Sequence, residues 1–140
     1  MQGFYIDELT VGQTAEMSRV VGTADIEAFA DVSGDNNPVH LDDAYARGTT
    51  FGERIAHGLL SASYISAILG TKLPGPGAIY LSQSLRFRRP VKVGDLVVAR
   101  ATVKAEDAGR GHVTLDTVCE VNGKTVIDGE ALMIAPRRTA

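Results

Sequence analysis

A turn-rich segment near residue 35 holds an acid and an imidazole that can act together on a proton. Asp35 and His40 lie five positions apart in the run DNNPVH. In a continuous helix they would point about 140° apart, but Pro38 disfavours helical geometry at Asn37, so a turn is predicted. Imidazole titrates near neutral pH and a carboxylate can act as a base, which suits general acid–base chemistry. The alternative is that Asp35 only binds turn amides and His40 packs at the surface.

A second candidate is His57-Gly58, which opens the most apolar stretch of the chain, GLLSASYISAIL. The first amides of a helix have no partner within it, and glycine lets a ligand approach closely. Such an N-terminus can stabilise negative charge that develops on an oxygen. An ordinary helix start is the competing interpretation.

Other reactive residue types give weaker signals. The single cysteine, Cys119, falls on the apolar face of a predicted strand and is assigned to the core. The basic run RFRRPVK, residues 86–92, is interpreted as a solvated face, with phosphate contact as the alternative. Three separated histidines lack metal-ligand spacing, so no metal site is expected. No glycine loop of the nucleotide-binding kind is present.

The elements that position these groups follow from the periodicity of the apolar residues. A strand is predicted over Ala15–Val21, and an amphipathic helix over Ala24–Ser33 with Thr23 as its N-cap. Gly58–Leu69 is apolar on all sides and predicts a buried helix. Four β-rich runs follow the break LPGPG, and Asn122-Gly123 predicts a two-residue hairpin turn between the last two. In the first of these runs the apolar face comprises Ile79, Leu81, Leu85 and Phe87.

Helices grouped before an antiparallel meander indicate an α+β domain. A single apolar helix is covered on all sides only if the sheet wraps around it, so a curved antiparallel sheet around Gly58–Leu69 is predicted. Neither an internal repeat nor a linker appears, and one domain is expected over residues 1–140.

Composition sets the outer limits of function. The chain has 140 residues, of which 44% are hydrophobic and 22% charged, which is typical of one folded domain. Its net charge of −3 argues against a nucleic-acid protein driven by bulk electrostatics. No run of about 20 apolar residues occurs and the N-terminus lacks a signal pattern, so no membrane association and a cytoplasmic location are expected.

Three segments together carry a specific resemblance. They are FADVSGDNNPVHLDDAYA, RIAHGLLSASYISAILG and PGPGAIYLSQSLRFRRPVKVGD. In these the chain resembles the R-specific enoyl-CoA hydratases of the MaoC-like (hydratase 2) family, over residues 8 to 135. The resemblance implies a hot-dog fold, and it implies reversible hydration of trans-2-enoyl-CoA to (R)-3-hydroxyacyl-CoA. It further implies a homodimer with its two active sites near the subunit interface.

The resemblance also implies roles for individual residues. Asp35 and His40 match the catalytic pair, and Gly58 matches the residue whose amide binds the thioester oxygen. Asn37 matches the motif asparagine that holds the turn, and Ser66 matches a serine near the catalytic aspartate. No metal or redox cofactor is required for this chemistry, and coenzyme A is part of the substrate. Candidates to line an acyl tunnel, each with core packing as the alternative, are Leu59, Ile65, Leu69 and Met133.

One departure from the family pattern is the segment FGERIAHG, where Glu53-Arg54 replaces the Arg-Pro of many members. It puts the conformation of the entry loop in doubt, while the catalytic pair is intact. The short chain itself favours a dimer, since one helix and one sheet enclose little space for an acyl-CoA.

Three alternatives stay open at this point. A dehydratase acting on 3-hydroxyacyl groups of acyl carrier protein has the same chemistry. A hot-dog thioesterase would need a carboxylate in the central helix, and residues 58–69 contain neither Asp nor Glu. A non-catalytic acyl-CoA binding module is disfavoured by the intact Asp35 and His40.

Overall fold

Six antiparallel strands form one sheet in the computed structural model, which describes residues 1–138. Thr139 and Ala140, the end of the domain predicted over 1–140, lie outside the described residues. The strands are β1 (Thr14–Val20), β2 (Ile79–Gln83), β3 (Arg86–Phe87), β4 (Leu96–Asp107), β5 (His112–Val121) and β6 (Lys124–Ile134). They are ordered β1-β4-β5-β6-β2, with β3 also paired to β6. The strand β2 therefore lies at one edge of the sheet.

Within residues 1–138, a 3-10 turn (Ile6–Glu8) and four α-helices accompany the sheet: α1 (Thr23–Ser33), α2 (Pro38–Leu41), α3 (Asp43–Arg47) and α4 (Gly58–Thr71). The longest, α4, contacts β1, β4, β5 and β6 and buries Ile65, Ile68 and Leu69 completely. Each fully buried side chain of this size contributes about 1.5–3 kcal/mol relative to exposure. The predicted sheet wrapped around one apolar helix, the hot-dog fold, is confirmed.

Local predictions are mostly confirmed, with two corrections near the N-terminus. Asn122 (φ 52°) and Gly123 (φ 75°) form the predicted hairpin turn between β5 and β6. The N-cap of α1 is Gly22 and not Thr23, because the Asp25 carboxylate accepts the Gly22 N–H at 2.9 Å. The turn predicted over DNNPVH is in part a single helical turn, α2.

The strand predicted after the LPGPG break is interrupted. The chain leaves the regular ladder at Ser84, whose carbonyl oxygen would lie 1.8 Å from a Cβ at Gly129 on β6. Three of the residues predicted to form its apolar face, Ile79, Leu81 and Phe87, are about half exposed. A register shift between Tyr80 and Ser82 breaks the predicted alternation, and β2 is an edge strand that the single chain does not cover. Within residues 1–138 no helix is long and apolar enough to cross a membrane.

Candidate active site

Asp35 is presented by the loop that leaves α1. The helix ends at Gly34, whose φ of 80° turns the chain out of the helix, a conformation that glycine adopts without strain. The Asp35 N–H then donates to Ser33 Oγ at 3.0 Å, and Asp35 Oδ1 accepts the Asn37 N–H at 3.3 Å. The first bond holds the main chain of Asp35 and the second orients its carboxylate, which stays exposed.

His40 is held with one defined ring nitrogen free. Asn37 Oδ1 caps α2 by accepting the Val39 N–H at 3.1 Å, with Pro38 at the first helical position. His40 is buried, and its Nδ1 lies 2.8 Å from the Ile55 carbonyl oxygen. A carbonyl only accepts hydrogen bonds, so Nδ1 carries the proton and Nε2 of the neutral ring is left as an acceptor. The alternative of a surface-packed His40 is wrong.

Asp35 and His40 meet a second histidine, His57. One carboxylate oxygen of Asp35 and one ring nitrogen of each histidine lie within 4.8 Å of one another. A single water spans such a gap with two hydrogen bonds, so the pair can hold the water that a hydration needs. His57 Nε2 lies 2.8 Å from the Asp35 carbonyl oxygen, and the other ring nitrogen, Nδ1, is buried without a partner among residues 1–138. Zinc sites use at least three protein ligands, and the expected absence of a metal site stays a prediction.

Gly58 begins α4 beside this cluster. A Cβ at this position would lie 2.6 Å from Cδ1 and Cε1 of Phe87, so glycine is required by space and not by backbone conformation. The first N–H groups of a helix lack internal partners and carry the positive end of its dipole. A cavity of about 230 Å³ is lined by Asp35, His40, His57, Gly58, Leu59 and Phe87. The acid–base pair and the helix N-terminus therefore open on the same space.

A larger cavity of about 360 Å³ adjoins the first, and Gly58 and Phe87 line both. Its other lining residues include Phe51, Ser61, Arg88, Arg89 and Ile127. Arg88 pairs with Asp128 at 3.1 Å, and Arg89 donates to the Thr125 carbonyl at 2.6 Å. Part of the basic run thus borders a cavity and is not simply a solvated face.

The segment before Gly58 is held by contacts that do not require a proline. Arg54 pairs with Asp43 on α3 at 2.8 Å, and only 16% of the Arg54 side chain is exposed. Ile55 forms an isolated antiparallel β-bridge with Lys92, and the Ala56 N–H donates to the Val91 carbonyl at 2.7 Å. The departure at Glu53-Arg54 therefore leaves a well-anchored entry loop.

Residues 8–129 match the family described as MaoC like domain. The chain belongs to this MaoC-like family. It is 48% identical over 134 residues to an (R)-specific enoyl-CoA hydratase of Rhodospirillum rubrum, covering 96% of this chain and 93% of that one. It is 41% identical to a mitochondrial 3-hydroxyacyl-[acyl-carrier-protein] dehydratase of Arabidopsis thaliana, covering 91% and 78%. The unliganded R-hydratase of Pseudomonas aeruginosa superposes with a TM-score of 0.92 at 49% identity, covering 97% and 88%.

The remaining predicted site residues of this MaoC-like chain are distributed unevenly. Leu59 lines the smaller cavity, whereas Ile65, Leu69 and Met133 belong to the hydrophobic core and line neither cavity described above. Ser66 is exposed on α4, eight residues beyond Gly58 and about 12 Å further along the helix axis. A role for these five residues, four in an acyl tunnel and Ser66 beside Asp35, stays a prediction.

Two residues at the site were not assigned roles from the sequence. His57 was visible only as the neighbour of Gly58, and Phe87 only as a member of an apolar face. Neither position carries a local signal, because its role depends on a partner more than 20 residues away in the chain.

Proposed function

We propose that the protein catalyses the reversible hydration of trans-2-enoyl-CoA to (R)-3-hydroxyacyl-CoA. The observation that carries this proposal is that His40, whose Nε2 is left unbonded, has a ring nitrogen within 4.8 Å of an Asp35 carboxylate oxygen, in a cavity that Gly58 also lines. The similarity to the Rhodospirillum rubrum enzyme, named an (R)-specific enoyl-CoA hydratase, supports the same reaction.

In the proposed reaction, Asp35 and His40 have different roles in the transfer of protons. A water held between Asp35 and His40 attacks C3 of the enoyl thioester while His40 Nε2 takes one of its protons. The same proton is then returned to C2, so that the water is added in full and both side chains recover their starting state. The Asp35 carboxylate orients the water by accepting a hydrogen bond from its other O–H, which stays intact in the product. General acid–base catalysis of this kind contributes roughly 10²–10⁴-fold in rate.

Between these two transfers, negative charge develops on the thioester oxygen. In this proposal the Gly58 N–H at the start of α4 donates to that oxygen, and the helix dipole favours charge there. The loss of one such donor typically costs roughly 10²–10³ in kcat. Gly58 has no Cβ to separate the oxygen from this amide.

No metal or redox cofactor takes part in this scheme, and coenzyme A enters only as part of the substrate. The larger cavity, with Arg88 and Arg89 at its wall, suits the anionic end of that carrier. A thioester of acyl carrier protein is the second candidate substrate, since one relative is named a dehydratase of that carrier. Relative turnover on the two carriers separates these possibilities. The thioesterase alternative is disfavoured, because α4 contains no Asp or Glu.

We further propose that the working unit is a homodimer. Ile79 and Leu81 on the edge strand β2 are 56% and 45% exposed, and Leu59 on α4 is 57% exposed beside the site. An uncovered apolar edge strand invites pairing with another chain, and a second copy would cover it and enclose the cavity. A cytoplasmic location stays a prediction.

The proposal is tested with Asp35→Asn and His40→Gln in a crotonyl-CoA hydration assay. Each change keeps the size of the side chain and removes its proton chemistry, so we expect kcat to fall by at least about 10²-fold. The change His112→Gln, at the start of β5, is the matched control and should leave the rate unaltered. Near wild-type rates in both site variants would refute the proposal.

A further inference from the structure

His57 lines the site but has no polar atom that is both unbonded and accessible to a substrate. The residue is 2% exposed and occupies the N-cap position of α4, immediately before Gly58, without a side-chain capping hydrogen bond. Nε2 lies 2.8 Å from the main-chain carbonyl oxygen of Asp35, and Nδ1 is buried without a partner among the described residues. Whatever His57 contributes must therefore pass through its neighbours.

The hydrogen bond defines the state of the ring. The Asp35 carbonyl can only accept, so His57 Nε2 carries a proton. A second proton on Nδ1 would bury a positive charge with no acceptor, which is strongly unfavourable. The ring is therefore neutral, in the Nε2–H form, whereas His40 is in the Nδ1–H form.

The same ring stacks on His40. The two imidazole centroids are 3.9 Å apart with an interplanar angle of 26°, and the ring centroids of Phe29 and His57 are 4.8 Å apart. Stacking fixes the plane of the His40 ring, and the hydrogen bond to the Ile55 carbonyl fixes the orientation of the ring within that plane. Together these contacts aim His40 Nε2.

We propose that His57 is a positioning residue that fixes the relative positions of Asp35, His40 and Gly58. Its hydrogen bond anchors the Asp35 main chain, its face supports the His40 ring, and its own backbone leads directly into Gly58. The loop after α1, the turn α2 and the N-terminus of α4 then move as a unit around one neutral imidazole. The catalytic consequence of this inference rests on the proposed function, whereas the arrangement of His57, Asp35 and His40 is independent of it.

Two variants divide the contributions of His57. His57→Gln retains a side-chain N–H donor and lacks the stacking ring, whereas His57→Phe retains a ring and lacks the donor. Displacement of a catalytic group by about 1 Å can cost about 10²-fold. We therefore expect each variant to lose about 10- to 100-fold in kcat on crotonyl-CoA, with KM changed less than about threefold. His112→Gln is the control histidine substitution, and thermal unfolding followed by circular dichroism reports whether each variant is folded.

The second readout is the ¹⁵N imidazole spectrum, which does not depend on turnover. In the wild-type protein we expect His57 as the Nε2–H tautomer and His40 as the Nδ1–H tautomer. In folded His57→Gln and His57→Phe, the His40 resonances should shift or broaden because the ring has lost a support.

The outcomes separate this inference from the proposed function. A folded variant that keeps wild-type kcat and an unchanged His40 spectrum would overturn the positioning role, as would a wild-type His57 protonated on Nδ1. If the variants do not fold, the wild-type tautomers decide the point. If Asp35→Asn and His40→Gln stay active while the tautomers are as expected, the proposed function fails and the placement of His57 stands.

Discussion

The ring of Phe87, on β3, packs directly over Gly58, the first residue of α4. A Cβ at position 58 would approach two atoms of that ring to 2.6 Å, closer than carbon atoms pack. Both residues line both cavities of the site. The space that joins the acid–base pair to the arginine-lined cavity thus depends on the absence of one methyl group.

We predict that Gly58→Ala lowers kcat/KM for crotonyl-CoA by at least about 10-fold, because Phe87 must shift into the space that the substrate uses. Phe87→Ala removes the clash, so the double variant Gly58→Ala/Phe87→Ala should recover part of the loss. A double-mutant cycle of the four proteins measures this coupling. Strict additivity of the two single changes would contradict the prediction.

The apolar edge of β2 predicts the oligomeric state. A charge at Leu81, as in Leu81→Asp, would be buried without a partner if a second copy covers this strand, so we expect a shift towards monomer and a loss of activity. Light scattering coupled to size-exclusion chromatography measures the mass. Val11→Asp places the same charge on an apolar residue that is 68% exposed elsewhere and should keep the wild-type mass. A wild-type protein that is monomeric at assay concentrations would refute the dimer.

The arginines of the larger cavity predict how the substrate carrier is recognised. Arg88→Ala and Arg89→Ala should raise KM for crotonyl-CoA several-fold with little change in kcat, since these side chains would bind phosphate away from the reacting atoms. The effect should weaken at high salt. Crotonyl-pantetheine, which lacks the phosphates, should show equal KM in all three proteins. Arg110→Ala, on the exposed turn between β4 and β5, is the control.

The buried thiol predicts a dependence of stability on alkaline pH. Burial raises the pKa of Cys119 from its ordinary value of 9.0 to about 12. The folded state therefore keeps this proton after the unfolded state has lost it, and the contribution of the thiol to stability declines as pH rises from 9 towards 12. Urea unfolding of the wild type and of Cys119→Ala should show a stability difference that narrows over this range. A constant difference would show that the thiol titrates alike in both states.

Much of the fold was accessible from local patterns. The apolar run of α4, the alternation in β5 and the Asn122-Gly123 turn are each determined by residues adjacent in the chain, whose backbone preferences act over a few positions. The interruption between β2 and β3 was not accessible, because it arises where Ser84 meets Gly129 on another strand. The exposed apolar face of β2 was likewise hidden, since alternation identifies a face but not what covers it.

For the candidate site, the sequence by itself determined the motif: the acid and imidazole of DNNPVH, the glycine that opens α4, and the caps that form the turn between them. Only the tertiary structure decided which ring nitrogen of His40 is free, that His57 joins Asp35 to His40, and that Phe87 lies on Gly58. These relationships depend on contacts between segments 15 to 29 residues apart in the chain. Hydrogen bonds and ring stacking depend on atomic positions to within fractions of an ångström. These positions are set only once α4 and the sheet have packed.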